Sequence, residues 1–184
     1  MKRIIVTGAS GMVGTALVNR LQKAGHKITA ASRSDGLVPP GVRHVKVGAV
    51  DAKTDWTAAM SDQDVLVHLA AALPSSASNS ETFERVNAAG TARIVEQASS
   101  CGIRMIVHLS SIAVVTGNQS RTVISDDTPS APVNAYGRSK LAAEKSVSQF
   151  ASSERIGISR TAARSMSRPM SRAAREITSS SSPS

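Results

Sequence analysis

The sequence predicts a doubly wound α/β fold, in which a parallel sheet carries helices on both faces. Two observations lead to this prediction. Short apolar runs alternate with helix-like stretches along the 184 residues. The run VLVHLAA is also almost wholly apolar, as a strand buried on both faces should be. Parallel strands joined by right-handed crossovers satisfy both observations, and the length suits one domain with a single core.

The predicted elements follow one another in regular order. A first helix covers MVGTALVNRLQKAG, with one apolar face and Gly25 as its end. A second helix extends from about Thr82 to Ser100, and a third carries Tyr136 and Lys140. The predicted strands are RIIVTG, HKITAAS, VRHVKVG, VLVHLAA and RMIVHLSS, with RIGIS as a sixth.

Composition limits the class of protein. Hydrophobic residues make up 41% of the chain, which fits a soluble globular protein rather than a disordered one. Cys101 is the lone cysteine and can form no internal disulfide, so we expect a reducing, cytoplasmic location. We expect no membrane partner, because no stretch approaches the length of a membrane span. The histidines lack the spacing of metal ligands, and we predict no metal.

The net charge of +9 raises the hypothesis of a nucleic-acid partner. Residues 151–184 hold six arginines against two glutamates, so nearly half of the excess lies there. This segment has no aromatic residue to stack on bases, and we therefore predict no nucleic-acid partner. We interpret residues 1–158 as the folded domain and 159–184 as an Arg/Ser/Ala-rich low-complexity tail, disordered or weakly helical.

A glycine-rich loop, VTGASGMVG, joins the first strand to the first helix. Gly8 allows a tight turn, Gly11 lets the backbone approach a pyrophosphate, and Gly14 lets the helix pack closely on the sheet. The helix N-terminus offers free N–H groups to the anion. This context predicts a Rossmann-like dinucleotide-binding domain; the alternative is a generic glycine-rich connection. The remaining candidate cofactor contacts in the loop are Ser10, Met12 and Val13.

The end of the second strand bears on which dinucleotide is bound. An acidic residue there would bond the ribose 2′-hydroxyl and favour NAD. The sequence is AASRSD, in which Arg33 can pair with a 2′-phosphate and Asp35 lies further along, as a turn residue. We predict NADP as the preferred coenzyme and NAD as the alternative. A plain surface charge is the competing interpretation of Arg33.

Five motifs occur in a characteristic order: TGxxGxxG, VLVHLAA, VNAAGTARIV, VHLSSIAVVTG and YGRSK. Together they resemble the extended short-chain dehydrogenase/reductase family, the NAD(P)-dependent epimerase/dehydratases, over residues 1–158. The resemblance implies oxidoreductase, epimerase or dehydratase activity on a nucleotide sugar or another small hydroxyl or carbonyl substrate. One loop departs from the family pattern, since Thr116 stands where tyrosine is usual.

The resemblance also assigns coenzyme contacts by position. Asp51 matches an acid that contacts the adenine amino group, and Asn87 matches an asparagine that faces the nicotinamide half. The end of the fourth strand matches a segment that lines the ribose and phosphates. Taken alone, His68 is equally a core histidine satisfied by backbone groups, and Asn87 is a helix-surface residue. The further candidates from these motifs are Ala52, His68, Leu69, Ala70 and Ala71.

Tyr136 and Lys140 are four residues apart, so on a helix they are neighbours on one face. A free tyrosine titrates at about pH 10, and a nearby ammonium favours its phenolate form. The resemblance implies that Ser111 polarises the substrate oxygen, that Lys140 also holds the ribose hydroxyls and that Tyr136 transfers the proton. These three are the predicted catalytic residues; the alternative for the pair is chance helix spacing.

The chain departs from the resemblance after residue 158. Members of the family continue into a C-terminal substrate lobe, whereas this sequence changes to ISRTAARSMSRPMSRAAREITSSSSPS. We interpret the lobe as missing, which leaves the site open to water, lowers turnover and favours self-association as a homodimer. An out-of-frame reading of a GC-rich gene is one hypothesis for this segment; a naturally short protein or a fragment are the others. A non-catalytic NADP-sensing module is the alternative function.

Overall fold

A five-stranded parallel sheet forms the centre of the computed structural model, which describes residues 1–33, 38–117, 123–125 and 127–154. The order across the sheet is β3-β2-β1-β4-β5, and all neighbouring strands are parallel. The order reverses between β1 and β4, which places a crevice at the carboxyl ends of these two strands. The predicted doubly wound fold is confirmed. The strands are β1 (Arg3–Thr7), β2 (Lys27–Ser32), β3 (Arg43–Lys46), β4 (Val65–His68) and β5 (Met105–His108).

Helices cover both faces of this sheet. The predicted helix from Thr82 to Ser100 is present, but it is composed of three successive parts rather than one regular α-helix. A short helix α2 and a 3₁₀ turn after β5 were not predicted. The helical elements are α1 (Met12–Lys23), α2 (Thr57–Met60), α3 (Ser80–Phe83), a π-helical segment (Glu84–Ala89), α4 (Gly90–Ser100), a 3₁₀ turn (Ile112–Val114) and α5 (Ala135–Glu154).

The core consists of two layers, one on each face of the sheet. Successive side chains of β1 point to opposite faces, so Ile4 and Val6 pack with α1 while Ile5 packs with α4 and α5. Trp56 is 1% exposed and lies within the α4–α5 layer. Its backbone N–H donates to the side chain of Gln97, which secures the loop after β3 to α4.

Some predictions fall outside the described residues. The sixth strand RIGIS, the boundary near residue 158 and the low-complexity tail all lie beyond residue 154. In the described ranges, no helix has both the length and the apolar character needed to cross a membrane. No three His, Cys, Asp or Glu side chains within those ranges are arranged to hold a metal ion.

Candidate functional site

The glycine-rich loop lies at the carboxyl end of β1, against the segment that follows β4. Gly8 has a φ of 68°, in the left-handed region, and a Cβ there would lie 2.8 Å from the backbone N of Ala70. A Cβ at Gly14 would overlap the carbonyl oxygen of Gly8. The close packing predicted for Gly14 therefore involves the backbone of the loop itself rather than the sheet. Both glycines are required by close approach of the backbone.

The N-terminus of α1 is open to ligands. Gly11 caps the helix in an extended conformation, and no side chain hydrogen-bonds to the cap. Ser10 and Met12 are exposed, Met12 by 90%, while Val13 is half-buried. Because the first N–H groups of a helix lack partners within the helix and carry partial positive charge, this end suits an anion.

The carboxyl ends of β2 and β3 hold the other candidate contacts to the adenosine half. Arg33 is exposed directly after β2, and Asp35 lies outside the described residues. Asp51 accepts hydrogen bonds from the backbone N–H of Lys53 at 2.9 Å and from the hydroxyl of Thr54 at 3.0 Å. These bonds hold the pKa of the Asp51 carboxyl below its usual value and fix it as a carboxylate. Ala52, beside it, is exposed.

His68, at the end of β4, is a buried link between three elements. Its Nδ1 lies 2.7 Å from the hydroxyl oxygen of Thr7, and its Nε2 lies 3.0 Å from that of Thr91. Burial, and secondly the charge of Lys140, lowers the pKa of the imidazole to about 3, so the ring is neutral. The expectation that backbone groups would satisfy His68 is wrong, because two hydroxyls do so. The three residues that follow are partly buried: Leu69, Ala70 and Ala71.

Asn87 lies in the π-helical segment and is 1% exposed, so it is not a helix-surface residue. Its Oδ1 accepts from the N–H of Ala72 at 2.7 Å, and its Nδ2 donates to the Ala72 carbonyl at 3.0 Å and to the Ser139 hydroxyl at 3.1 Å. The Ser139 hydroxyl in turn donates to the carbonyl of Tyr136 at 2.8 Å. Asn87 thus joins the segment after β4 to the helix that carries Tyr136.

The 3₁₀ turn after β5 brings Ser111 close to α5. The Ser111 hydroxyl oxygen accepts the N–H of Ala113 at 3.2 Å and caps this turn. A Cβ at Gly137 would overlap the carbonyl oxygen of Ala113, so α5 packs directly on the turn. The half-buried ring of Tyr136 meets Phe83 edge to face, with centroids 5.5 Å apart. The turn capped by Ser111 and the first turn of α5 are therefore in contact.

Lys140 is 2% exposed, and its ammonium hydrogen-bonds to the end of β5. Nζ donates to the carbonyl of Leu109 at 2.8 Å and lies 3.2 Å from Nε2 of His108. Burial lowers the pKa of Lys140 to about 8, and the charge of Glu144 opposes that shift. The structure thus brings Lys140 to the strand end that leads into Ser111, one helical turn after Tyr136.

The sequence reasoning missed His108 and Ser139. His108 is 6% exposed and stacks on His68, with ring centroids 5.2 Å apart. The two histidines are register partners on β4 and β5. A signal was available, since the runs VLVH and MIVH both end in histidine. The role of Ser139 depends on a residue 52 positions away, and no local pattern reveals such a contact.

Comparison with known proteins identifies the family. The model of the NAD dependent epimerase/dehydratase family matches residues 4–165. The chain is 33% identical over 153 residues to UDP-glucose 4-epimerase of Mycolicibacterium smegmatis, covering 77% of this chain and 49% of that protein. It is 32% identical over 149 residues to 2'-dehydrokanamycin reductase of Streptomyces kanamyceticus, covering 79% of this chain and 37% of that protein.

A solved structure described as MoeE5 in complex with UDP-glucose and NAD is 30% identical, with a TM-score of 0.73. The alignment covers 85% of this chain and 52% of that one, so the chain spans about half the length of the proteins it matches, or less. The matched range includes the glycine-rich loop, both histidine-ended strands and α5. The chain belongs to the NAD dependent epimerase/dehydratase family.

Proposed function

We propose that this chain binds NADP, or NAD, and supplies the hydride-transfer part of an oxidoreductase, epimerase or dehydratase site. The single observation that carries the proposal is the hydrogen bond from Lys140 Nζ to the carbonyl of Leu109. This bond joins the helix of Tyr136 to the strand end that leads into Ser111. The substrate we propose is a nucleotide sugar or another small hydroxyl or carbonyl compound. The relatives support this class, because the MoeE5 structure contains UDP-glucose and NAD.

The residues present fit a dinucleotide. The open N-terminus of α1 and the exposed backbone at Gly11 suit a pyrophosphate, and Asp51 is held as a carboxylate near the proposed adenine position. Lys140 would hold the ribose beside the nicotinamide. A bound nicotinamide would supply a hydride acceptor for oxidation of the substrate carbon, or a hydride donor for its reduction.

The side chains of the chain supply proton transfer and polarisation. Because the Ser111 oxygen already accepts from Ala113, the Ser111 O–H remains to donate to a substrate oxygen. Tyr136 takes the hydroxyl proton of the substrate in oxidation and returns it in reduction. The Lys140 ammonium, on the same face of α5, stabilises the phenolate that forms.

The preferred coenzyme and the state of assembly are further parts of the proposal. Arg33 is exposed at the end of β2, which favours the 2′-phosphate of NADP. Strands β3 and β5 are the edges of the described sheet, and open edges favour a homodimer. Sedimentation equilibrium across a range of protein concentrations measures the dimer.

Replacement of Tyr136 with Phe tests the proposed chemistry. Loss of the phenol removes the proton carrier, so any turnover by the full chain should fall by roughly a hundredfold or more, while coenzyme affinity stays within roughly twofold. Single-turnover reduction of bound coenzyme and calorimetry measure the two quantities. A coenzyme-sensing module would show no turnover in either protein, and undiminished turnover in the variant would contradict the assignment of Tyr136.

A further inference from the structure

We propose that His108 is a positioning residue for Lys140: its neutral imidazole, protonated on Nδ1, accepts one ammonium hydrogen at Nε2 and leaves another for the coenzyme. This inference deepens the proposed function and rests on it. None of the five motifs assigns a role to position 108, and the inference comes from the contacts of the buried ammonium.

The ammonium of Lys140 has three hydrogens to donate. One goes to the carbonyl of Leu109 at 2.8 Å, and Nε2 of His108 at 3.2 Å is the second acceptor. Among the described residues no third acceptor lies within bonding distance of Nζ. An unpaired N–H of a buried cation is costly, and in the proposed function the coenzyme would accept this third hydrogen.

The contact with Lys140 fixes the tautomer of His108. An ammonium has no lone pair, so it can only donate, and Nε2 must accept with its lone pair. The ring proton then lies on Nδ1. Burial first, and the Lys140 charge second, lowers the pKa of His108 far below its ordinary value, which keeps the ring neutral beside the cation.

This arrangement has a stability cost. The Nδ1 atom of His108 is buried and has no hydrogen-bond partner among the described residues. A buried unpaired N–H destabilises the folded protein, and an apolar side chain of similar size would avoid that cost. Packing alone therefore does not account for a histidine here, whereas the need for an acceptor beneath Lys140 does.

The ring plane of His108 is fixed by its neighbour. His68 stacks on it at an interplanar angle of 28° and is itself held by the hydroxyls of Thr7 and Thr91. Its hydroxyl partners restrict rotation of the His68 ring, and the stacked His108 ring is restricted with it. The Nε2 lone pair is thereby aimed at Nζ before any coenzyme arrives.

The groups whose charges act on this cluster lie on three elements. Glu144, on α5, favours the ammonium, and His108 on β5 and His68 on β4 both respond to the Lys140 charge. Tyr136 precedes Lys140 by one turn on α5. Without the His108 acceptor the ammonium is less stabilised, so Lys140 should lose its proton at lower pH than in the unaltered chain.

The first test uses the unaltered full chain without coenzyme. Long-range ¹H–¹⁵N spectra of the four histidines report the protonation of each ring nitrogen. We expect His108 to be neutral and protonated on Nδ1 at pH values below about 8, where Lys140 is an ammonium. A ring protonated on Nε2, or one that gains a charge near pH 6.5, would overturn the proposal whatever the coenzyme does.

The second test compares His108→Phe with His108→Gln, whose amide oxygen can accept in place of Nε2. For the Phe variant we expect NADPH binding to weaken roughly tenfold. As pH rises, this variant should also lose binding at a lower pH than the unaltered chain does. The Gln variant should recover most of the affinity. His26→Phe, at a 5% exposed site at the opposite end of the sheet, is the control. Unchanged binding by a folded Phe variant would refute the positioning role. Absence of NADPH binding by the unaltered chain would refute the proposed function instead. If the variants failed to fold, the tautomer of His108 measured in the first test would still decide this inference.

Discussion

The charged side chain of Lys140 is buried. Its pKa is lowered from 10.5 to about 8, mainly by burial, which corresponds to a cost of about 3 kcal/mol for keeping the ammonium in the folded chain at neutral pH. We therefore infer that Lys140 serves the proposed chemistry rather than stability. We infer the same of His108, whose Nδ1 has no partner among the described residues.

Replacement of Lys140 with Met should therefore stabilise the coenzyme-free chain at pH 7, by about 1–3 kcal/mol, because the cost of burying the ammonium disappears. The folded pKa lies below the unfolded one, so the unaltered chain gains stability as pH rises from about 8 to 10.5. The advantage of the variant should shrink over that interval. Urea unfolding at several pH values measures it, and a variant less stable at pH 7 would contradict this account of Lys140.

Arg33 is the residue on which the choice of coenzyme depends in our proposal. Arg33→Asp removes the partner of a 2′-phosphate and supplies an acceptor for a 2′-hydroxyl. We expect NADPH affinity to fall by roughly ten- to a hundredfold and NADH affinity to rise. Arg20→Asp makes the same charge change at an exposed site in the last turn of α1 and should alter neither affinity. Equal losses in both variants would mean that net charge, not a specific contact, governs binding.

At the scale of elements, the sequence predicts regular parts well and contacts between distant parts poorly. Five strands were located to within a few residues, because each is a short apolar run beside a turn or helix signal. The π-helical segment was not foreseen, since it coincides with bonds from Asn87 to Ala72 and Ser139 that no local pattern shows. The 3₁₀ turn likewise depends on its contact with α5, where Gly137 meets Ala113.

That contact gives a prediction for α5. Gly137→Ala would improve helix propensity, yet its Cβ would overlap the carbonyl of Ala113 and force α5 away from the turn capped by Ser111. We expect a net loss of stability of about 1–3 kcal/mol. Gly90→Ala is the matched comparison, because its Cβ would lie 2.8 Å from a methyl group of Val50, a smaller overlap than that with the Ala113 carbonyl oxygen at Gly137. Thermal unfolding measures both, and a smaller loss at Gly137 than at Gly90 would contradict the packing argument.

At the scale of the whole molecule, the described part contains the carboxyl ends of all five strands, where the candidate contacts lie. The aligned part of this chain covers between 37% and 52% of the proteins it was compared with. Catalysis requires exclusion of water and orientation of the substrate as well as the reacting groups. The described part supplies the contacts proposed for the coenzyme, and we therefore expect it to bind NADPH or NADH.

Calorimetric titration of the full chain with NADPH and with NADH tests the central claim most directly. We predict saturable binding of one coenzyme per chain, tighter for NADPH, with a rise in the unfolding temperature that follows its concentration. Absence of both heat and thermal protection at saturating concentrations of either coenzyme would contradict the account.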